Sequence, residues 1–217
     1  MLAERNRTMP RLAARREHRR VAGAVGNTRL TALTAIPLLV LLAAEGLTLL
    51  SLQSFLEWHV FLGMLLVPLV VLKIASTGYR FVNYYTGRRE YVQAGPPPLF
   101  LRLLGPLVVA STAALFASGV ALALLGPGRT FGMLLLHKAS FVIWVGALGL
   151  HVLGHIARIP GLTAPDLRRP RAGTGSSIRL ALVASAIVVG AIVAVVTLPS
   201  AVQWAHWIQS QWLQGEG

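Results

Sequence analysis

Five stretches of mostly apolar residues, at roughly 30–50, 56–77, 103–125, 131–157 and 178–198, run through this chain of 217 residues. Each has about the 20 residues that an α-helix needs to cross a bilayer. In hydrocarbon every backbone N–H and C=O has to be satisfied internally, so such stretches fold as helices. The pattern predicts an all-α membrane protein with five transmembrane helices. The first stretch starts too deep in the chain, and is too long, for an ordinary cleaved signal peptide. It reads as a retained helix. Composition agrees, with 55% hydrophobic and only 12% charged residues, where a soluble domain carries about 25% charged.

The net charge is +13, nearly all of it from arginine. A basic chain invites a nucleic-acid reading, but here the arginines lie between apolar segments. Eight fall in 1–29. Arg80, Arg88, Arg89 and Arg102 fall in 78–102, and Arg158, Arg168, Arg169, Arg171 and Arg179 fall in 158–179. All of these lie on one side of a five-span chain, and the other side has only Arg129. The positive-inside rule accounts for this asymmetry, so nucleic acid is not an expected partner, and it puts the N-terminus in the cytoplasm and the C-terminus outside a plasma (inner) membrane. The expected organisation is a basic cytoplasmic arm (1–29), disordered or lying on the membrane surface, a five-helix domain (30–198) and a Trp-rich outer tail (199–217). Trp204, Trp207 and Trp212 suit an interfacial helix in that tail. Gly95-Pro96-Pro97-Pro98 and Gly126-Pro127-Gly128 punctuate the connections before the third and fourth spans, and Pro, Gly and Ser in 159–177 read as a flexible connection. There is no cysteine, which excludes disulfides, iron–sulfur clusters and thiolate chemistry.

Ionisable residues inside a span cost about 2.5–3.5 kcal/mol each on insertion scales and need a reason. Glu45, His59, Lys73, His137, His151 and His155 are the candidates. His137 and His151 are 14 residues apart, which places them within about 40° around the helix axis and about 21 Å apart along it. One face therefore offers an imidazole toward each leaflet. The second and fourth spans run parallel, so His59 and His137 share a depth in the outer leaflet. Two histidines at matched depth on facing helices can hold a haem iron from both sides. Singly, each also reads as an interfacial residue bonding water or headgroups.

The stretches Trp58-His59-Val60-Phe61-Leu62-Gly63, Leu136-His137-Lys138-Ala139-Ser140-Phe141 and Gly149-Leu150-His151-Val152-Leu153-Gly154-His155 resemble haem-ligand helices of the membrane cytochromes b. The arrangement is similar to that of quinol–cytochrome c reductase cytochrome b and the ferric-reductase-like membrane domains, over about residues 55–157. The resemblance implies a haem-binding four-helix bundle plus one extra helix, with haem b between His59 and His137. It also implies an electron-transfer subunit, non-catalytic or quinol-oxidising, that links the quinone pool to a redox protein partner on the outer face. The chain departs from the dihaem pattern at Lys73, where another histidine is expected, so a second haem would need Lys73 paired with His151. His155, beside Arg158, is then either interfacial or a partner for a propionate or a quinone oxygen.

Gly63, four residues after His59, and Gly105 and Gly119, 14 apart on the third span, either admit a flat macrocycle or only tighten packing. Trp144, midway between His137 and His151, either stacks between redox groups or fills the core. Glu45 suits proton exit beside a quinol site, or a carboxyl hydrogen-bonded within the bundle. Arg80, about one turn past the second span, can meet haem propionates, lipid headgroups or a partner. The rival class is a haem-free transporter or structural subunit with a polar path through Glu45, Lys73 and the histidines. A zinc hydrolase reading of His151 and His155 lacks the glutamate of H-E-x-x-H, because Val152 follows His151.

Overall fold

The computed structural model describes residues 2–93, 95, 99–128, 131–168 and 175–215, with side chains for 23–93, 95, 99, 100, 102–128, 132–168 and 175–211. Pro96, Pro97, Pro98, Arg129, Arg169 and Arg171 lie outside the described residues, as do the side chains of Trp212 and of the arginines before Arg29. Among the described residues the regular structure is all helical: α1 (Leu2–Thr48), α2 (Leu52–Tyr85), α3 (Arg89–Val92), α4 (Leu99–Leu125), α5 (Phe131–His155), α6 (Ile159–Arg168), α7 (Gly175–Val196) and α8 (Leu198–Gly215). The backbone of the basic arm is helical and continuous with α1. Part of the 159–177 connection forms α6.

Four helical stretches are long and apolar enough to cross a membrane: Gly23–Tyr85, Arg102–Leu125, Gly132–Arg168 and Gly175–Val196. This is the mark of a multi-pass membrane protein. The first stretch, of 63 residues, turns back on itself. A short 3₁₀ turn at Leu49–Ser51 and a non-helical Phe55 break it. Contacts at the turn (Thr48 to His59) and far from it (Asn27 to the Ser76 carbonyl) make α1 and α2 an antiparallel pair. Elsewhere glycines end helices through left-handed backbone, at Gly87 (φ 76°) after α2 and at Gly126 (φ 70°) after α4, a conformation without steric cost only for glycine.

The most extensive packing is α4 on α5, α2 on α7 and α1 on α2. Leu33, Leu66, Leu69 and Val183 form the heart of the α1–α2–α7 group. Gly190 brings α7 so close to α2 that a Cβ there would overlap the Leu65 carbonyl oxygen, the close approach that small residues give helices in lipid. The α4–α5 pair is fastened by Trp144, which is buried and donates from Nε1 to Thr112 Oγ1 at 2.9 Å. The two groups meet mainly through α2 and α4. At one end Asp166 of α6, only 1% exposed, receives Arg179 Nε and Nη2 of α7 at 2.5 and 2.7 Å and lies 3.6 Å from Arg29 of α1. At the other end α8 folds over the helix termini. Its buried Trp204 packs on Leu56 and Leu122. Trp204 Nε1 and Ser200 Oγ donate to the Leu122 and Ala123 carbonyls in the last turn of α4, and the Leu122 carbonyl also accepts the Gly126 N–H at 3.2 Å.

Candidate functional site

A polar cluster centred on His59 and His137 joins α1, α2, α4 and α5. His59 projects from the first turns of α2, and its Nδ1 is 2.9 Å from Glu45 Oε1 and 3.1 Å from Thr48 Oγ1, both on α1. Thr48 Oγ1 already donates to the Glu45 carbonyl at 2.6 Å, so it accepts from the imidazole. His137 projects from α5, and its Nδ1 lies 3.0 Å from the Leu115 carbonyl oxygen and 3.1 Å from Ser118 Oγ of α4. A carbonyl can only accept, and Ser118 Oγ donates to the Ala114 and Leu115 carbonyls. Both rings therefore carry their proton on Nδ1 and keep the lone pair on Nε2. That is how a protein fixes a metal-ligating histidine: the second nitrogen is held by a carboxylate or a carbonyl, which sets tautomer and orientation.

The two rings lie edge to face, with centres 6.4 Å apart and planes at 83°. Imidazoles bound to one iron from opposite sides, with metal–nitrogen bonds of about 2 Å, have ring centres roughly 6–6.5 Å apart. At this spacing His59 and His137 are the residues that could hold a haem iron between them. Among the described residues no three of His, Asp and Glu gather as a bare metal ion would require. Gly119 of α4 is what lets His137 in: a Cβ there would sit 3.0 Å from Cε1 of the ring. Gly63 lies beside Glu45, whose Oε1 would be 3.6 Å from a Cβ there, an ordinary contact.

The opposite end of the bundle is built differently. Lys73 Nζ donates to the Thr31 carbonyl of α1 at 2.6 Å. Thr31 Oγ1 and Asn27 Nδ2 tie the same region to Ser76. His151 Nδ1 is buried without a hydrogen-bond partner. Its ring stacks on His155 with centres 4.5 Å apart, and His155 Nδ1 donates to the His151 carbonyl. Arg80 is exposed at the end of α2.

The sequence singled out His59, His137, Glu45, Gly63 and Gly119, and the fold brings them together. Thr48, Ser118 and the Leu115 carbonyl were not singled out. A serine or threonine in a span usually bonds its own helix, as Ser111 does, so nothing in the sequence separates Ser118 from Ser111 except its neighbour Gly119. No family model matches the chain, and no curated protein or solved structure matches it significantly.

Proposed function

We propose that this protein is a haem b electron-transfer subunit of the cytochrome b type, carrying electrons between membrane quinol and a redox protein partner. The observation that carries the proposal is the pair His59 and His137: ring centres 6.4 Å apart, each with Nδ1 already engaged by protein oxygen. In this reading α1, α2, α4, α5 and α7 are five spans. The arginine-bearing connections face the cytoplasm, and α8 lies on the outer leaflet. The residues that hold the group are His59 and His137, oriented by Glu45, Thr48, Leu115 and Ser118. Bound haem would supply a one-electron couple near the outer face. The chain's own contribution is to fix the two rings and to leave a carboxylate at the Nδ1–H of His59. Lys73 and His151 are the pair that would hold a second haem. The test is the haem content of the purified protein, by pyridine haemochrome, for the wild type and for His59→Ala and His137→Ala. Haem in the first and none in the other two is expected, and equal haem in all three would overturn the proposal.

A second reading follows from Glu45, whose Oε2 is buried without a partner. Glu45, His59 and His137 form a polar chain through the outer half of the bundle, which also suits a haem-free proton path. Colourless protein from haem-replete cells, with proton uptake that is lost in Glu45→Gln, would favour it.

A further inference from the structure

Beyond the histidine pair, an apolar groove of about 520 Å³ opens between α2 and α4. Val67, Val71 and Ile74 line one wall, and Ala113, Ala117 and Ala121 line the other. The alanines are spaced four apart, so they share a face of α4, and their small side chains create the hollow. We infer that this groove holds the end of one acyl chain of an anionic phospholipid whose phosphate is bound by Arg102. The inference needs only the membrane setting of the helices and is independent of haem.

The register of the two helices connects groove and arginine. Ile74 and Ala113 both line the groove, and eleven residues further toward the arginine-rich end are Tyr85 on α2 and Arg102 on α4. Eleven residues are about three turns, so Tyr85 and Arg102 lie on the groove-lining faces, about 16 Å from its near end. The fold confirms their meeting: Arg102 Nε donates to the Tyr85 hydroxyl at 3.1 Å, and the guanidinium lies 5.6 Å from the ring centre. Between the two places are Gly78 and Gly105, and a Cβ at either would meet no atom within 4 Å. The path from arginine to groove therefore runs past two positions that carry no side chain. Its length is about that of one leaflet's hydrocarbon, the depth an acyl chain covers before its terminal methylenes reach the groove.

Charge selects the headgroup. One Arg102 nitrogen is engaged by Tyr85, which leaves the guanidinium's other donors for a phosphate. The one carboxylate in residues 78–102 is Glu90. It lies beside Gly23 of α1, with Oε2 3.9 Å from where a Cβ on that glycine would be, so it turns toward α1. A basic residue at the cytoplasmic end of a furrow between spans is the arrangement that recognises anionic lipid. The neutral head of a quinone, whose prenyl tail would also suit the hollow, gives Arg102 no counter-charge.

The experiment uses the full-length protein. Delipidated wild type in mild detergent is titrated with phosphatidylglycerol or with phosphatidylcholine of the same chains, following thermal unfolding. Native mass spectrometry counts the lipid retained. Phosphatidylglycerol should raise the unfolding temperature and stay bound, and phosphatidylcholine should do neither. Arg102→Gln should weaken phosphatidylglycerol retention about fivefold, as the loss of one basic contact implies. Ala117→Phe, which fills the groove, should abolish retention, and Arg88→Gln should leave it unchanged. Equal responses to the two lipids in the wild type would overturn the inference without depending on any variant. So would a quinone found in the groove in place of lipid, or phosphatidylglycerol retention indifferent to both Arg102→Gln and Ala117→Phe.

Discussion

The two ends of the bundle hold similar residues in different states. At the α8 end each histidine has its Nδ1 satisfied, His59 by Glu45 and Thr48 and His137 by Leu115 and Ser118. At the arginine-rich end Lys73 bonds the Thr31 carbonyl, and His151 is stacked on His155 with Nδ1 unpartnered. A ligand imidazole needs its far nitrogen held, because that bond sets tautomer and aim. An amine already bonded to a carbonyl has to break that bond before it can ligate. The difference teaches that histidine position alone does not make a site. The oxygen atoms behind the rings are what distinguish the two ends.

The largest expected effect breaks the organised end. If the pair holds haem as proposed, His59→Ala and His137→Ala should each lose it, whereas His206→Ala, at an exposed position on α8, should keep it. Absorbance at the Soret band per chain checks this. Next comes Asp166→Asn, which tests the architecture that holds the ends in register. It leaves the half-buried Arg179 without its counter-charge and should destabilise the fold by about 3 kcal/mol, as breaking a buried pair does. The hydrogen bonds from Arg179 hold the Asp166 carboxyl below its ordinary value of 3.8, with burial opposing and Arg29 assisting. A depressed folded value means that this stability is complete above pH 3.8 and is lost as pH falls through the folded value. Thermal unfolding of the wild type should therefore weaken in that acid window more than that of Asp166→Asn.

A smaller change falls on the oxygens behind the rings. Ser118→Ala and Glu45→Leu should weaken haem retention about 10- to 100-fold, the usual cost of removing a partner of a ligating histidine. Competition with apomyoglobin measures it. The smallest effect is expected at the other end: Lys73→Met should leave haem stoichiometry and reduced spectrum unchanged. A lost band there would show that the arginine-rich end is organised after all.

Much of this was legible in the sequence because the bilayer dictates it. Apolar runs have to be helices, and Gly126 and Pro127 end one where the turn was expected. The matched depth of His59 and His137 follows from helix rise and span parity, and the fold brings the rings together. Two things were not legible. Helix-to-helix pairing depends on side-chain fit, so the contact of Gly190 with the Leu65 carbonyl, and the preference of α5 for α4, could not be read from periodicity. The partners of the histidines were also hidden. One is a backbone carbonyl, which no residue type announces, and others are hydroxyls that look like ordinary helix-bonded Ser or Thr. Asp166 was not singled out in the connection, and only the fold places Arg29 and Arg179 around it.

The most direct measurement is a reduced-minus-oxidised spectrum of the protein purified from haem-replete cells, with haem per chain taken from the pyridine haemochrome. The expected result is one haem with the sharp bands of bis-imidazole ligation, retained in His151→Ala and lost in His59→Ala. Protein without haem, or haem lost in His151→Ala and retained in His59→Ala, would contradict the assignment of the iron to the α8 end.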